Sequence, residues 1–238
     1  MLGREVAVKA GAILVCLGLM STPVLAAEYD PWESVNLKVY AFNDKLDTAV
    51  LRPVAETYTR YVPRMAQRGV TNFFSNINDV TVLVNNILQL KVGDAASDTG
   101  RIVLNTTLGI AGLIDVATAA GLQKNNEDFG QTLGRWGVRP GPYVVLPLLG
   151  PSSLRDSFGL VADNYTNPAT HHDEHAVRNS AFALNQLDRR VSALAVDALM
   201  MGDPYIFMRE AYLQQRQYLV TDGEVQDEWE DDEWGAWD

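Results

Sequence analysis

The sequence predicts a mainly α-helical protein. Asp30-Pro31 and Asp203-Pro204 each place a capping acid directly before a proline, an order that is typical of a helix start. Apolar residues recur three and four positions apart over long segments, which is the spacing of an amphipathic helix. The chain shows no series of segments with alternating apolar and polar residues joined by Asn-Gly or Asp-Gly turns, the pattern that would indicate a β-sheet protein.

Four segments carry the helical pattern. The first covers residues 36–50, and its apolar face consists of Leu37, Tyr40, Ala41 and Leu46. The second covers residues 73–90, with Asp79 as a candidate cap. Residues 94–108 and 172–201 complete the set, and the last segment is rich in Ala and Leu. We therefore expect helices over most of the chain.

Two uncharged stretches interrupt this pattern, at residues 102–114 and 140–154. Neither is long enough to span a bilayer alone. The second contains four prolines, which remove four backbone donors and favour a rigid apolar hairpin over a long helix. Two interpretations stay open: a buried helix followed by a core-crossing loop or short strand, or two segments exposed to lipid at an interface.

The first 26 residues have the order of a secretory signal. Arg4 and Lys9 precede the uncharged apolar run 10–20, and a small residue, Ala26, ends the segment at a predicted cleavage site. A second interpretation makes Cys16 a lipidation site, although a branched valine stands before it, and a third makes the segment a retained anchor. The chain contains no other cysteine, which excludes a disulfide framework and a multi-cysteine metal site.

Charge is concentrated at the C-terminus. The chain has 19 Lys and Arg against 30 Asp and Glu, a net charge of −11, which argues against nucleic acid as a partner. Residues 222–238 hold nine of the acids and three tryptophans, but no Lys or Arg. We expect a signal peptide over residues 1–26, one helical domain over 27–221, and a disordered tail over 222–238 that adds solubility or docks a basic partner.

No catalytic motif is visible in the chain. His171 and His175 lie four residues apart, a spacing that can hold zinc, but the order is not His-Glu-x-x-His, and a solvated surface cluster is the alternative. Nucleophile elbows, phosphate loops and dinucleotide fingerprints are absent from the sequence. Ser153, with Asp156 three residues later, indicates a capping box more simply than a nucleophile. We expect a protein without enzymatic activity, metal or cofactor.

Several longer motifs follow one another in order over about residues 30–220. They are Asp30-Pro31-Trp32-Glu33, Phe42-Asn43-Asp44-Lys45-Leu46-Asp47, Arg52-Pro53-Val54-Ala55, Val84-Asn85-Asn86, Asn105-Thr106-Thr107-Leu108-Gly109, Asp128-Phe129-Gly130-Gln131-Thr132-Leu133-Gly134, Gly141-Pro142-Tyr143-Val144-Val145-Leu146-Pro147 and Asp203-Pro204-Tyr205. With these motifs in this order, the chain resembles the VacJ/MlaA family of outer-membrane lipid-transport proteins.

The resemblance implies a helical ring around an amphipathic channel at the periplasmic side of the outer membrane. Such proteins bind trimeric porins, withdraw stray phospholipids from the outer leaflet and pass them to a periplasmic lipid-binding protein. That carrier then delivers the lipid to an inner-membrane ABC transporter. Members of the family are typically lipoproteins, so the poor context of Cys16 is a departure, and anchoring here is expected to rest on an apolar belt and a porin.

Two sets of residues are candidates for the lipid path. The lumen candidates are polar residues set among apolar ones, together with one motif in the first helix: Phe42, Asn43, Asn85, Asn86, Asn105, Thr106 and Thr107. Satisfied polar groups of the core are the alternative for these positions. The hairpin or gate candidates are Pro142, Tyr143, Val144, Val145, Leu146, Pro147 and Leu148.

Two other functions remain open at this point. A periplasmic adaptor could bind a porin and a lipid carrier without conducting lipid itself. A lipid hydrolase with an unrecognised site is the other, although no nucleophile has a suitable base in its sequence context.

Overall fold

The computed structural model describes residues 30–197 and 200–223, and most of them belong to helices. In chain order the elements are α1 (Glu33–Leu46), a π-helical turn (Asp47–Leu51), α2 (Arg52–Tyr61), α3 (Arg64–Leu88), α4 (Val92–Thr107), the one-turn α5 (Val116–Ala119), α6 (Phe129–Arg135), β1 (Tyr143–Leu146), β2 (Gly150–Ser153), α7 (Leu154–Thr166), a 3-10 turn (Pro168–His171), α8 (His175–Asp197) and α9 (Pro204–Val220). The mainly α prediction is confirmed. The signal segment with Cys16 and the Trp-containing tail beyond Gly223 lie outside the described residues.

Local capping signals were correct at two helix starts and wrong at one. The Ser153 hydroxyl accepts a hydrogen bond from the Asp156 amide at 3.1 Å, and the Asp203 carboxylate accepts one from the Tyr205 amide at 2.8 Å. At the first helix the prediction is wrong, because α1 begins at Glu33 with no side-chain cap. Asp30 is instead buried and accepts from Asn36 Nδ2 at 2.8 Å, so a tertiary partner replaces the local one.

The expected cap at Asp79 is also wrong. Helix α3 runs without interruption for 25 residues, and Asp79 lies in its middle, fully buried. Its carboxylate pairs with the Lys124 ammonium and lies 3.5 Å from Arg101 Nε. Because a buried carboxylate requires a charged or hydrogen-bonding partner, Asp79 faces other elements rather than starting a helix.

Helices α3 and α4 form an antiparallel pair held by polar side chains. Asn86 Nδ2 donates to Asp98 Oδ2 at 2.6 Å near the three-residue connection, and Asn76 Nδ2 donates to Thr106 Oγ1 at 3.1 Å farther away. The sequence positions therefore run in opposite directions along the contact. Amides and carboxylates take the place that apolar side chains occupy between most helices.

The Pro-rich stretch forms a two-stranded antiparallel hairpin, with Tyr143 opposite Ser153 and Leu146 opposite Gly150. Helix α1 covers the free edge of β1 with two side-chain amides. Asn36 donates to the Tyr143 carbonyl at 3.0 Å and accepts from the Val145 amide at 2.9 Å. Asn43 does the same two helical turns later, donating to the Leu146 carbonyl and accepting from the Leu148 amide, both at 2.9 Å.

The spacing explains why asparagines at these two positions fit the strand. Seven residues of helix rise about 10.5 Å, at ~1.5 Å each. Three residues of strand advance about 10 Å, at ~3.3 Å each. The two amides therefore fall in register with the strand and act as a substitute for a third strand, which leaves the edge of β1 paired.

Among the buried side chains of the described residues, polar and charged ones outnumber apolar ones, and the largest that is fully buried is Arg101. The small apolar cluster consists of Tyr143, Val145 and Tyr205. Many large apolar side chains are exposed instead, including Met65, Leu108, Ile110 and Phe158. This distribution is the reverse of that in an ordinary soluble domain. None of the described helices is long and apolar enough to cross a membrane.

We expect Asn36→Ala to lower the free energy of unfolding by about 2–4 kcal/mol, because it leaves a buried carbonyl and a buried amide of β1 without partners. Asn43→Ala should cost less, about 1 kcal/mol, because Asn43 is only half-buried and water can replace its amide. Denaturant unfolding in detergent, followed by circular dichroism, measures both. Asn179→Ala, at an exposed position of α8, is the matched control. Equal losses at Asn36 and Asn179 would contradict the role of Asn36.

Candidate functional site

A polar cavity of about 290 Å³ lies where α3, α6, the hairpin, α7, α8 and α9 meet. Its lining consists of Asn78, Thr81, Asn126, Glu127, Asp128, Pro151, Ser152, Asp156, Leu160, Asp163, Asn164, Asn167, Arg189, Tyr212 and Arg216. Carboxylates, amides and guanidinium groups dominate this surface. The cavity is therefore suited to a charged or strongly polar ligand.

Arg216 on α9 neutralises two carboxylates of the cavity. Its Nη2 lies 3.0 Å from Asp128 Oδ1, and its Nε lies 2.9 Å from Asp156 Oδ2. Burial alone would raise the pKa of Asp156, but the Arg216 guanidinium and the hydrogen bonds from Tyr212 and Arg155 bring it down to about 2. Burial acts on Asp128 in the same way, and Arg216 again lowers its pKa.

The crossing of α6 and α7 allows Arg216 to reach both acids. A Cβ on Gly159 would lie 2.5 Å from the Gly130 amide nitrogen, and a Cβ on Gly130 would lie 2.4 Å from Asp156 Oδ1. Only glycine at both positions lets the two helices approach this closely. Asp128 is also the N-cap of α6, accepting from the Gln131 amide at 2.8 Å, so capping and ion pairing share one carboxylate.

Asp163 differs from the other acids of the cavity. Its Oδ1 accepts from Asn85 Nδ2 and from the Phe129 amide, both at 3.0 Å, but it forms no ion pair with any residue between 30 and 223 that the structure describes. Burial raises the pKa of Asp163 to about 6 in spite of these two neutral donors. The carboxylate is held in place by amides, and the charges of Asp128 and Arg216 act on its pKa in opposite directions, without a direct ion pair among the described residues.

Arg189 is a cation of the same cavity and, like Asp163, has no ion-pair partner among the described residues. It lines the cavity from α8, is exposed, and makes no hydrogen bond or ion pair with the described part of the chain. The charge of its neighbour Arg190, in contrast, is paired within the protein. Arg190 forms a two-pronged ion pair with Asp47, with Nε–Oδ1 at 2.6 Å and Nη2–Oδ2 at 3.0 Å, and a further pair with Asp197.

A second, apolar cavity of about 620 Å³ adjoins the polar one between α1, the hairpin, α8 and α9. Its apolar lining comprises Tyr40, Tyr143, Val145, Ala193, Val196, Phe207, Met208 and Ala211. Asp47, Arg190 and Asp197 form a charged rim. Pro151 and Tyr212 line both cavities, so the two spaces are neighbours at the hairpin and α9.

Helix α7 shows how polar interior and apolar exterior coexist in one element. Leu154, Phe158, Val161 and Tyr165 recur at helical spacing and are 38%, 66%, 57% and 77% exposed. The opposite face carries Asp156 and Asp163, which line the polar cavity, and Gly159, which is buried. The helix is amphipathic with its apolar face outward, the arrangement expected of a helix that lies against lipid.

The structure brings some of the sequence candidates to these cavities. Asn85 accepts from Thr132 Oγ1 at 2.8 Å and donates to Asp163, so it supports the polar cavity from behind. Asn43 lines the apolar cavity and holds the hairpin turn. Among the hairpin candidates, Tyr143 and Val145 line the apolar cavity, Pro142, Val144 and Leu146 are half-buried, and Pro147 and Leu148 are exposed at the turn.

The remaining candidates lie elsewhere. Phe42 is 54% exposed on α1. Asn86 and Thr106 join α3 to α4, Asn105 binds the Ala117 amide and Asp115, and Thr107 donates to the Val103 carbonyl. None of these five lines either cavity. Their part in a lipid path stays a prediction.

Sequence reasoning did not single out Asp128, Asp156, Asp163, Arg189 or Arg216 as a site. Asp128 stood in a family motif and Asp156 in a capping box, but the five residues are distant in the chain and no single motif joins them. The inverted pattern of α7 was the available signal, because two carboxylates share the face opposite a continuous apolar stripe. The His171–His175 segment is exposed, and the described residues contain no group of His, Cys, Asp and Glu that could hold a metal ion.

Comparisons with known proteins agree with this architecture. The family model described as MlaA lipoprotein matches residues 28–219. The intermembrane phospholipid transport system lipoprotein MlaA of Escherichia coli is 38% identical over 202 residues, which are 82% of this chain and 80% of that protein. The lipoprotein of the same description in Haemophilus influenzae is 30% identical over 90% of this chain and 88% of its own length.

Two further matches extend this comparison. An uncharacterised protein of Rickettsia typhi is 37% identical over 196 residues, 81% of this chain and 78% of that protein. A solved structure described as "Structural basis for maintenance of bacterial outer membrane lipid asymmetry" matches with a TM-score of 0.72 and 36% identity, over 80% of this chain and 98% of that chain.

We expect Asp163 to give the ligand-free protein a stability that falls as pH rises from about 4 to about 6. The pKa of Asp163 is about 6 in the folded chain, against 3.8 for an ordinary aspartate, so the folded chain holds this proton more tightly over that interval. Below it both the folded and the unfolded chain are protonated here, and above it both are ionised. The difference in Tm between wild type and Asp163→Asn, measured across pH 4–7, should therefore decrease up to about pH 6 and then level off.

Asp173→Asn, at an exposed carboxylate, is the control for this titration. A Tm difference for Asp163→Asn that is constant across the range would contradict the assignment.

Proposed function

The chain belongs to the MlaA lipoprotein family, and on that premise we propose that it takes part in intermembrane phospholipid transport and maintains outer-membrane lipid asymmetry. It removes mislocalised phospholipids from the outer leaflet and transfers them, without breaking a bond, to a periplasmic lipid carrier. It acts at the periplasmic side of the outer membrane beside a trimeric porin. The carrier in turn supplies an inner-membrane ABC transporter.

The observation that carries this proposal is the inverted polarity of the fold, most clearly in α7. An apolar face that is exposed at Phe158, Val161 and Tyr165 is stable in contact with acyl chains and unfavourable in water. The polar face of the same helix lines a cavity with paired charges. The helices described here are too short in apolar length to cross a bilayer, but an outward apolar face suits residence in one leaflet.

A polar interior supports the passage of a phospholipid headgroup. Moving an ion from water into hydrocarbon is costly unless polar groups or water accompany it. The polar cavity offers such groups, and the adjoining apolar cavity offers a surface for acyl chains. A lipid can therefore keep its headgroup and its tails in suitable surroundings at the same time.

The hairpin and the lumen residues belong to the same proposal. Tyr143 and Val145 place the hairpin at the wall of the apolar cavity, where a shift of β1 would change its opening. Asn36 and Asn43 fix that strand to α1. A hydrolase has no comparable support, because Ser152 bonds to Ser157 and no histidine lines either cavity in the described chain.

We expect deletion of the gene in its own host to raise surface-accessible phospholipid, measured by labelling or acylation of the outer leaflet. The wild-type chain should reverse the rise. Leu146→Glu should not, because it places a carboxylate at a half-buried position of β1, the strand whose residues Tyr143 and Val145 line the apolar cavity. Gln214→Glu, at an exposed position of α9, is the matched control and should restore the wild-type level.

Each variant is first checked for amount and for thermal unfolding. No rise in the deletion strain would contradict the transport proposal. A rise that wild type and folded Leu146→Glu reverse equally would favour an adaptor that binds porin and carrier without conducting lipid.

The apolar face of α7 gives an independent expectation. Phe158→Glu with Val161→Glu should weaken binding of purified protein to vesicles of phosphatidylethanolamine and phosphatidylglycerol by tenfold or more. A charge at the bilayer centre costs about 2.5–3.5 kcal/mol and less near the interface, while about 1.4 kcal/mol is tenfold. Flotation measures the bound fraction.

The control variant is Gln214→Glu with Gln217→Glu, which adds the same charge to exposed polar positions of α9. Equal binding by the two double variants would mean that α7 does not contact lipid.

A further inference from the structure

The polar cavity contains one negative and one positive side chain that the protein itself does not pair. Glu127 binds Lys91 at 2.9 Å. Arg216 binds both Asp128 and Asp156, and Arg155 lies 2.9 Å from Asp156 as a second cation, so two guanidinium groups balance these two carboxylates. Asp163 receives only neutral donors, and Arg189 receives no partner from the described residues. The built-in charges therefore cancel except for this pair.

We propose that the cavity binds the zwitterionic headgroup of a phospholipid, with the phosphate at Arg189, the ammonium at Asp163 and an acyl chain in the adjoining apolar cavity. This inference rests on the proposed function and specifies its substrate class. Phosphoethanolamine carries one negative and one positive charge, which are the partners that Arg189 and Asp163 lack.

The chemistry of each side chain fits its assigned partner. A guanidinium group presents a planar set of donors that matches phosphate oxygens, and Arg189 has all of its donors available among the described residues. Asp163 is half-buried and has no direct ion pair among the described residues, so its carboxylate gains from a ligand that supplies a cation. Burial is the main cause of the raised pKa of Asp163, about 6, and the group is still mostly ionised near neutral pH.

The dimensions of the two cavities agree with this division. The polar cavity of about 290 Å³ corresponds to about ten waters at ~30 Å³ each, which accommodates the eight heavy atoms of a phosphoethanolamine group. The apolar cavity of about 620 Å³ corresponds to about twenty such volumes, which suits one acyl chain. Pro151 and Tyr212 border both spaces, so the two cavities are adjacent, as the headgroup and acyl chain of a single lipid require.

Two consecutive arginines of α8 line different cavities, one polar and one apolar. Arg189 lines the polar cavity with its charge unpaired, whereas Arg190 lines the apolar cavity with its charge neutralised by Asp47 and Asp197. An unpaired guanidinium beside an acyl chain would be unfavourable, and the fold pairs the one that lies there. The arrangement thus distinguishes a headgroup side from a tail side.

An anionic headgroup meets the cavity less well. The phosphate of phosphatidylglycerol can still pair with Arg189, but its uncharged glycerol leaves the half-buried Asp163 carboxylate without an ion-pair partner. The structure therefore predicts a preference for phosphatidylethanolamine over phosphatidylglycerol of the same acyl chains.

Equilibrium competition for the purified full chain in detergent tests this preference, with dioleoyl phosphatidylethanolamine and dioleoyl phosphatidylglycerol as the two probes. Wild type should bind the first about five- to tenfold more tightly. Asp163→Asn should remove most of that preference by weakening the first lipid alone. Arg189→Gln should weaken both lipids about equally, because both carry a phosphate, and Arg189→Lys should recover part of the loss.

Matched controls are Asp173→Asn and Arg178→Gln, at positions that line neither cavity, with Arg178 on the same helix as Arg189. Thermal unfolding confirms that each variant is folded. Arg189 is exposed, so its variants keep the test decisive if Asp163→Asn does not fold. Soluble phosphoethanolamine should compete at least a hundredfold more weakly than the lipid, since it lacks a chain for the apolar cavity.

The outcomes separate this inference from the function on which it rests. Lipid binding without preference, or with equal effects of Asp163→Asn on both lipids, overturns the headgroup assignment and leaves phospholipid transport standing. Competition by phosphoethanolamine as strong as that of the lipid overturns the acyl-chain assignment. Absence of binding to either lipid overturns both the inference and the proposed function.

Discussion

The double ion pair of Arg216 holds together the elements that form the polar interior. It joins α9 to Asp128, the N-cap of α6, and to Asp156, in the first turn of α7. Ser153 links that same turn to β2 by capping α7. One guanidinium thus fixes two helix starts and one end of the hairpin. This double ion pair requires the close crossing of α6 and α7 at Gly130 and Gly159, since any larger side chain there would separate the two acids.

The requirement that buried polar groups have partners explains which parts of the fold could be predicted. Helices, the hairpin and the caps at Ser153 and Asp203 follow from local spacing and chemistry, because their partners lie within a few residues. Asp30 and Asp79 were assigned wrongly because their partners lie far away in the sequence. A capping acid and a buried ion-pairing acid look alike until the fold is known.

The candidate site was less accessible to sequence reasoning for a related reason. Asn85 and Asn43 stood out as polar residues in apolar surroundings, and both lie beside a cavity. Asn86 and Asn105 had the same pattern, but their partners are Asp98 and Asp115 at helix contacts. The pattern indicates a buried hydrogen bond and does not identify what is bound. The charges of the cavity come from four separate segments, and only folding brings them together.

A transport path also needs groups that bind the transported lipid and then release it. Conduction requires binding that is favourable enough for entry and weak enough for release. The neutral donors on Asp163 spread part of its charge, and the exposure of Arg189 leaves its charge partly screened by water. Both are weaker anchors than a fully buried, cation-free charge would be. The tightly paired groups, Arg216 above all, give the cavity its shape, while the two loosely held charges are the ones free to exchange a ligand.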